Sequence, residues 1–262
     1  IKAVSFTGGT KTAEAISREA APQFKKLSLE LGGKNPNIIF ADCDFDSMLE
    51  TTIRSSFSNQ GEICLCGSRI FVEETIYDTF RDTFVERTQS LNVGDPNNEK
   101  TDMGALISKG HLEKVTGYID LAKEEGGTIL TGGENVHVNG RCSGGYFVEP
   151  TVIDDLNADC RTNQEEIFGP VVSLIPFKLE EEVIAMANST QYGLSATIWT
   201  ENKTKADRVA GKLDSGVVWV NCWMVRDLRT PFGGMKNSGV GREGGFEALD
   251  FFTEQKNICR IQ

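Results

Sequence analysis

The chain has 262 residues, with 27 lysines and arginines against 38 aspartates and glutamates, for a formal net charge of −11. That length allows one large or two medium domains around a sizeable core. The acidic balance argues against a nucleic-acid partner, which needs a basic footprint, and no apolar run approaches the ~20 residues of a membrane span.

From its first residues, Ile1-Lys2-Ala3-Val4-Ser5-Phe6, the chain reads as a strand running into a turn. No signal or transit segment precedes it, so the expectation is a chain that starts mid-fold, as a fragment, a processed product or a gene missing its front. The apolar run 3–6 ends at Thr7-Gly8-Gly9, and a helix starts at Thr10. Residues 26–31 alternate as a strand does, and 37–40 form a short buried strand. Residues 46–57 have helical spacing, with Met48, Leu49, Ile53 and Phe57 on the apolar side. A strand over 68–73 and a helix over 76–91 carrying Phe80, Phe84 and Leu91 follow. The spacing then predicts a helix over 112–123 and, after Gly126-Gly127, a strand at 128–130. Residues 131–144 are polar and glycine-rich and read as a surface excursion. Strands at 147–148, 152–153 and 170–177 come next. They are followed by a helix over 180–188, a strand over 194–199, a helix over 203–213 and a central strand over 217–220. Strands alternating with helices imply an α/β fold with a mainly parallel sheet covered by helices. Sites in such sheets tend to lie at the carboxyl ends of the strands. The tail 257–261 reads as an edge strand that can join another copy of the chain.

Two segments carry chemistry. Glu30 lies in Leu29-Glu30-Leu31-Gly32-Gly33-Lys34, and Cys64 in Asn59-Gln60-Gly61-Glu62-Ile63-Cys64-Leu65-Cys66. A thiolate attacks a carbonyl carbon, and a carboxylate can activate a water. Glycines beside each let a ligand or a second backbone segment come close. Cys64 also fits a buried small hydrophobe, and Cys66 competes with it as a nucleophile. A free thiol ionises near pH ~8.5, so a working cysteine needs help from its surroundings. Glu30 fits a strand residue paired with Lys25, Lys26 or Lys34. It equally fits a half-buried base whose pKa burial draws toward neutrality. The seven cysteines are an odd, scattered set in a large chain, which suits a reducing, cytoplasmic setting better than a disulfide scaffold. His111 and His137 are the only histidines and neither adjoins a cysteine pair, so no metal site is expected.

Both segments closely resemble signature motifs of the NAD(P)-dependent aldehyde dehydrogenase superfamily. Gln164-Glu165-Glu166-Ile167-Phe168-Gly169-Pro170 and Pro231-Phe232-Gly233-Gly234-Met235-Lys236-Asn237-Ser238-Gly239 are similar to two more. By themselves they read as a helix end stopped by Gly-Pro and as a glycine-rich turn. Gly8-Gly9 resembles the family's element beside the cofactor diphosphate, with Gly9 where a serine is usual. The hydroxyl contact is thereby lost, while N–H groups at the helix start remain. Residues 27–36, 61–66 and Asn221-Cys222-Trp223 look most like the 2-aminomuconate and 2-hydroxymuconate semialdehyde dehydrogenases of that superfamily.

The resemblance implies an aldehyde dehydrogenase-like fold that lacks the N-terminal part of the cofactor domain. It divides the chain into residues 1–32, a remnant of the NAD-binding domain, 33–237, the catalytic domain, and 238–262, a C-terminal segment with an oligomerisation strand. It also implies NAD as cofactor, a homodimer or homotetramer, and a small aldehyde as substrate. Cys64 would form a thiohemiacetal and then a thioester, and Glu30 would activate the water that releases the acid. Glu166 would bind the nicotinamide ribose and Phe168 would pack on the nicotinamide. Phe232 would line the substrate tunnel, and Arg226 would hold a substrate carboxylate. Arg226 fits equally a surface pair with Asp227. Family members are nearly twice as long, and the part absent here would carry an asparagine that donates to the oxyanion and a lysine at the adenosine ribose. A second reading is therefore a non-catalytic chain that keeps only the fold and its oligomer surfaces.

Overall fold

The computed structural model describes residues 1–261. The first strand, β1 (Ala3–Thr7), leads through helix α1 (Thr10–Ala20) to β2 (Lys26–Glu30). The central elements are β3 (Asn35–Ile39), α2 (Phe45–Phe57), β4 (Gly67–Glu73), α3 (Tyr77–Gln89), α4 (Lys109–Glu124) and β5 (Thr128–Thr131). A short pair, β6 (Asn135–Val136) and β7 (Phe147–Val148), precedes β8 (Thr151–Asp154), α5 (Arg161–Gln164), β9 (Val171–Phe177) and α6 (Glu180–Asn188). The chain continues through β10 (Tyr192–Gly193), β11 (Ser195–Trp199), α7 (Lys203–Ala210), β12 (Val217–Val220), β13 (Met235–Lys236), β14 (Gly239–Val240) and α8 (Gly245–Phe252).

One seven-stranded sheet has the order β12-β11-β3-β4-β9-β8-β5. Every neighbouring pair in it is parallel except β5 against β8. The sequence explains why both faces are covered. On β3, Ile39 points into a core built from α2 and α3, while Ile38, and Phe40 just past the strand, point into one built from α6 and α7. On β4, Ile70 and Val72 join the first core and Phe71 the second. An apolar run read at period two thus feeds two cores at once, which only a strand covered on both sides can do. Met48, Leu49, Ile53 and Phe57 pack from α2 into the first core, as their spacing predicts. Asp44 caps that helix by accepting from the Ser47 N–H at 3.3 Å.

A smaller sheet, β1-β2-β14, stands apart from the large one. β1 and β2 run parallel and end together at Thr7 beside Glu30. The Gly8 N–H then donates to the Glu30 carbonyl at 3.0 Å. The start of α1 is therefore fixed next to Glu30. Arg69 is fully buried and forms no ion pair among the described residues. Its guanidinium donates to the carbonyls of Lys34 (3.0 Å), Met186 (2.9 Å) and Ala187 (2.8 Å). The last two belong to the C-terminal turn of α6, where orphan carbonyls and the helix dipole favour a cation.

Three local readings need correction. Residues 217–220 form an edge strand of the large sheet, paired with β11 alone, rather than a central one. Their apolar character serves a different contact: Trp219 packs in a cluster with Leu65, Leu194, Trp223 and Phe232. The helix after Lys203 stops at Ala210, with Gly211 as its cap, short of residue 213. Residues 257–261 are exposed and form no strand within this chain. Among the described residues, no helix is long and apolar enough to cross a membrane.

Phe84 stacks between Phe80 (5.2 Å between ring centroids) and Phe57 (6.1 Å) at the centre of the first core. Replacing it with alanine deletes a wholly buried ring. The expected loss is about 3–5 kcal/mol of stability, read as a lower denaturation midpoint with an unchanged slope.

Candidate active site

Cys64 sits on a turn between the end of α2 and the start of β4. The Cys66 N–H closes this turn on the Ile63 carbonyl at 3.0 Å. The next three carbonyls are each held by a side chain from elsewhere. Asn35 Nδ2 donates to those of Cys64 (2.7 Å) and Cys66 (2.9 Å), and Trp223 Nε1 to that of Leu65 (3.0 Å). Gly61 has φ of +71°, and a Cβ there would lie 2.2 Å from the Gly169 carbonyl oxygen, so only glycine lets these two segments touch. Burial pushes the Cys64 thiol up, helped by the Glu166 and Glu30 carboxylates; its own backbone N–H and Arg226 pull it down. Cys66 lies deeper, and burial pushes its thiol up to about 12. At that value it is inert as a nucleophile at neutral pH.

Glu30 ends β2 with its carboxyl buried, and the residue is only 6% exposed. Its Oε1 has no hydrogen-bond partner among the described residues. Burial raises its pKa to about 7, with Glu243 adding to the rise and Arg242 and Arg226 opposing it. No lysine pairs with it: Lys26 bonds to Glu254, and Lys34 is itself buried, its pKa lowered to about 7 by that burial. A carboxyl held near neutrality can take up and give back a proton at physiological pH.

Cys64 and Glu30 open onto one cavity of about 490 Å³, which Gly8, Gly9, Glu166 and Phe168 also line. Gly9 precedes α1 with extended backbone and no side-chain cap, and a Cβ at Gly9 would meet nothing within 4 Å. The start of α1 is thus left without a side-chain cap beside the cavity, an arrangement suited to an anion such as a diphosphate. Glu166 Oε1 accepts from the Gly33 N–H at 3.0 Å. A Cβ at Gly32 would lie 2.3 Å from the same carboxylate, so Gly32 is what lets Glu166 lean in from its loop. Burial raises the Glu166 pKa against the pull of the Gly33 N–H, Lys114, Lys34 and His111. Phe168 has φ of +62°, a strained setting for an aromatic residue, and its carbonyl contacts His111 Nε2 at 2.6 Å. A ring, a carboxylate and a bare helix start on one cavity wall match the flat base, diol and diphosphate of a dinucleotide.

Arg226 and Phe232 lie outside this cavity wall. Phe232 is buried in the cluster that includes Leu65 and Trp223, against which Ile63 and Cys64 pack. The Arg226 guanidinium sits over the Phe232 ring at 4.0 Å from its centroid. It does not pair with Asp227, which Arg229 engages instead (Nε to Oδ1, 2.9 Å). Sequence reading missed Asn35, His111 and Lys114. The last two line the cavity; their spacing puts them on one face of a helix, but nothing local says what that face meets. His111 Nε2 also lies 3.4 Å from Glu62 Oε1. Asn35 carried a weaker signal, a polar residue between Gly-Gly-Lys and proline inside an apolar strand.

Residues 1–258 match the model of the aldehyde dehydrogenase family. The chain is 54% identical over 257 residues to 2-aminomuconic semialdehyde dehydrogenase of Danio rerio, an alignment that covers 97% of this chain and 53% of that protein. It is 49% identical over 259 residues to 2-hydroxymuconic semialdehyde dehydrogenase of Pseudomonas sp. (strain CF600), covering 99% of this chain and 53% of that protein. Its fold is similar to that of betaine aldehyde dehydrogenase from Staphylococcus aureus in complex with NAD+, with TM-score 0.92 and 41% identity over 95% of this chain and 50% of that one. The chain spans about half the length of the curated relatives it matches.

The raised pKa of Glu30 has a thermodynamic counterpart. The unfolded chain ionises this carboxyl near 4.5 and the folded chain near 7. Stability contributed by the neutral, buried form is therefore present below pH 4.5 and lost as pH rises to 7. Glu30→Gln removes that loss. The variant should gain on the wild type across this window, by up to about 3 kcal/mol at the upper end, as measured by denaturation at a series of pH values.

Proposed function

This chain belongs to the aldehyde dehydrogenase family, and from that premise we propose that its site oxidises an aldehyde to the acid with NAD. The observation that carries the reading is the single cavity onto which the Cys64 thiol and the Glu30 carboxyl both open. Cys64 Sγ attacks the aldehyde carbon, and the thiol proton, which burial would otherwise hold in place, passes to the carbonyl oxygen. The product is a thiohemiacetal on Sγ. Gly8 and Gly9 would hold the diphosphate of NAD, Glu166 a ribose diol and Phe168 the nicotinamide, and the cofactor so held would supply the hydride acceptor. Once the carbon is oxidised, a thioester remains on Sγ. Glu30 then draws a proton from water, the water oxygen attacks the thioester carbonyl, and the acid leaves as the C–S bond breaks and Glu30 hands its proton to Cys64 Sγ. A carboxyl whose pKa is about 7 suits both proton transfers.

A semialdehyde pairs an aldehyde with a carboxylic acid. Arg226 has no carboxylate partner among the described residues, and it rests on the ring of Phe232, itself packed in the cluster that touches Cys64. A planar guanidinium presents two parallel donors to a carboxylate. Arg226 thus holds the acid end of a carboxylate-bearing semialdehyde while Phe232 guides its carbon chain. Residues 1–32 belong to the NAD-binding domain, 33–237 to the catalytic domain, and 238–262 to a segment through which copies associate as a homodimer or homotetramer. All seven cysteines are free, which suits a reducing cytoplasm and a mechanism that needs a thiol. The non-catalytic reading gains nothing from a chain that keeps nucleophile and base on one cavity.

Two experiments test this. With aldehyde and NAD, Glu30→Gln should accumulate an acyl adduct on Cys64, visible by mass spectrometry, with turnover lower by about 10²–10⁴-fold. Cys64→Ser should form neither adduct nor NADH, and an adduct on Cys66 instead would overturn the assignment. Arg226→Ala should raise KM for a carboxylate-bearing aldehyde by about tenfold to a hundredfold. A neutral aldehyde of the same length should be affected far less.

A further inference from the structure

The Asn35 side chain makes strong contacts at the site, yet the chemistry above gives it no role. Its Nδ2 donates to the carbonyls of Cys64 (2.7 Å) and Cys66 (2.9 Å), and its Oδ1 accepts from the Ser195 N–H (3.1 Å). Both ends of the amide are therefore used, in a residue that is 4% exposed. The neighbouring sequence is arranged around it. A Cβ at Gly33 would lie 2.6 Å from Asn35 Oδ1, so the glycine makes room for the amide. The register between β3 and β4 shifts between Asn35 and Pro36, and such irregularities re-aim a side chain. Pro36 brings no N–H to the ladder at that step. Asn37 to Ile39 pair regularly with both β4 and β11, so β3 stays in the sheet without the Asn35 amide.

We propose that Asn35 is a positioning residue for the nucleophile: by fixing the carbonyls on either side of Leu65, it sets where the Cys64 sulfur sits and how fast it reacts. The inference rests on the reading that Cys64 is the reactive cysteine. The turn closes on itself through one backbone hydrogen bond, from the Cys66 N–H to the Ile63 carbonyl. Without Asn35, the peptide planes after residues 64 and 66 can rotate. The sulfur then loses its set distance to its own N–H and to Arg226, the two groups that favour the thiolate.

The test uses the chain as it stands and reads the thiol directly. Wild type, Asn35→Ala, Asn35→Asp and Asn35→Ser are alkylated with iodoacetamide over a pH series spanning the usual thiol pKa, with folding checked by thermal melts. Peptide mass spectrometry follows each cysteine, with Cys259, exposed in the tail, as internal reference. Asn35→Ala should slow Cys64 about tenfold at neutral pH and move the midpoint of its pH profile up by about one unit. Asn35→Asp keeps the shape but brings an anion, and should slow it more. Asn35→Ser, which keeps one donor, should fall between wild type and alanine. Cys259 should not change. A purely structural role would lower the melting temperature and speed Cys64 and Cys66 together as the turn opens, and that result would overturn the proposal. So would any folded variant whose Cys64 profile matches wild type; if the alanine variant does not fold, the serine and aspartate variants decide by the same criterion. Alkylation involves no aldehyde, NAD or hydride. A wild-type Cys64 that reacts no faster than Cys66 would sink the underlying reading, whereas a reactive Cys64 indifferent to position 35 would sink this proposal alone.

Discussion

The site depends on how one short turn is pinned. The carbonyls of Cys64, Leu65 and Cys66 all accept from buried donors, the first and third from Asn35 Nδ2 and the second from Trp223 Nε1. A loop that contributed its carbonyls to water would let its thiol wander; one tied to the ends of distant strands cannot. The tie also distinguishes the two cysteines. The same clamp that leaves Cys64 on the cavity wall draws Cys66 inward, where burial suppresses its ionisation. The difference between the proposed nucleophile and a packing residue two positions away thus comes from geometry, since the side chains are identical.

The carboxylates obey a second constraint, that of space left by missing side chains. Glu166 approaches Gly33 only because Gly32 has no Cβ, and Glu30 Oε1 would lie 2.9 Å from a Cβ at Gly233. Close backbone packing excludes water around Glu30, and that exclusion, more than any neighbouring charge, moves its pKa. Arg226 and Arg242 temper the shift without cancelling it.

Much of the fold was legible because its signals are local. Apolar runs with period two gave β3, β4 and β9, and helical spacing gave α2 and α6. The glycine-flanked Glu30 and Cys64 marked themselves by residue type and, with Gly8, Gly9, Glu166 and Phe168, come together on one wall. What escaped depends on non-local partners. The run Val217–Val220 is as apolar as a central strand, but its burial comes from the Trp219 cluster and its place at the sheet edge is invisible in its own residues. Nothing in the order Arg226-Asp227-Leu228-Arg229 says which arginine takes the aspartate. The loop geometry gives Asp227 to Arg229 and leaves Arg226 over an aromatic face. Asn35 and His111 were hidden for the same reason, since their partners lie far along the chain.

The buried guanidinium of Arg69 bears on the order in which the molecule forms. It joins the start of β4 to Met186 and Ala187, 117 and 118 residues further on. Closing so long a loop carries an entropic cost that local helices and hairpins do not meet. Lys34, whose carbonyl it also grips, is the residue just before Asn35. The contacts of Arg69 with Met186 and Ala187 can therefore form only after α6 has been made and docked, which places the closure of the frame behind Asn35 late in folding.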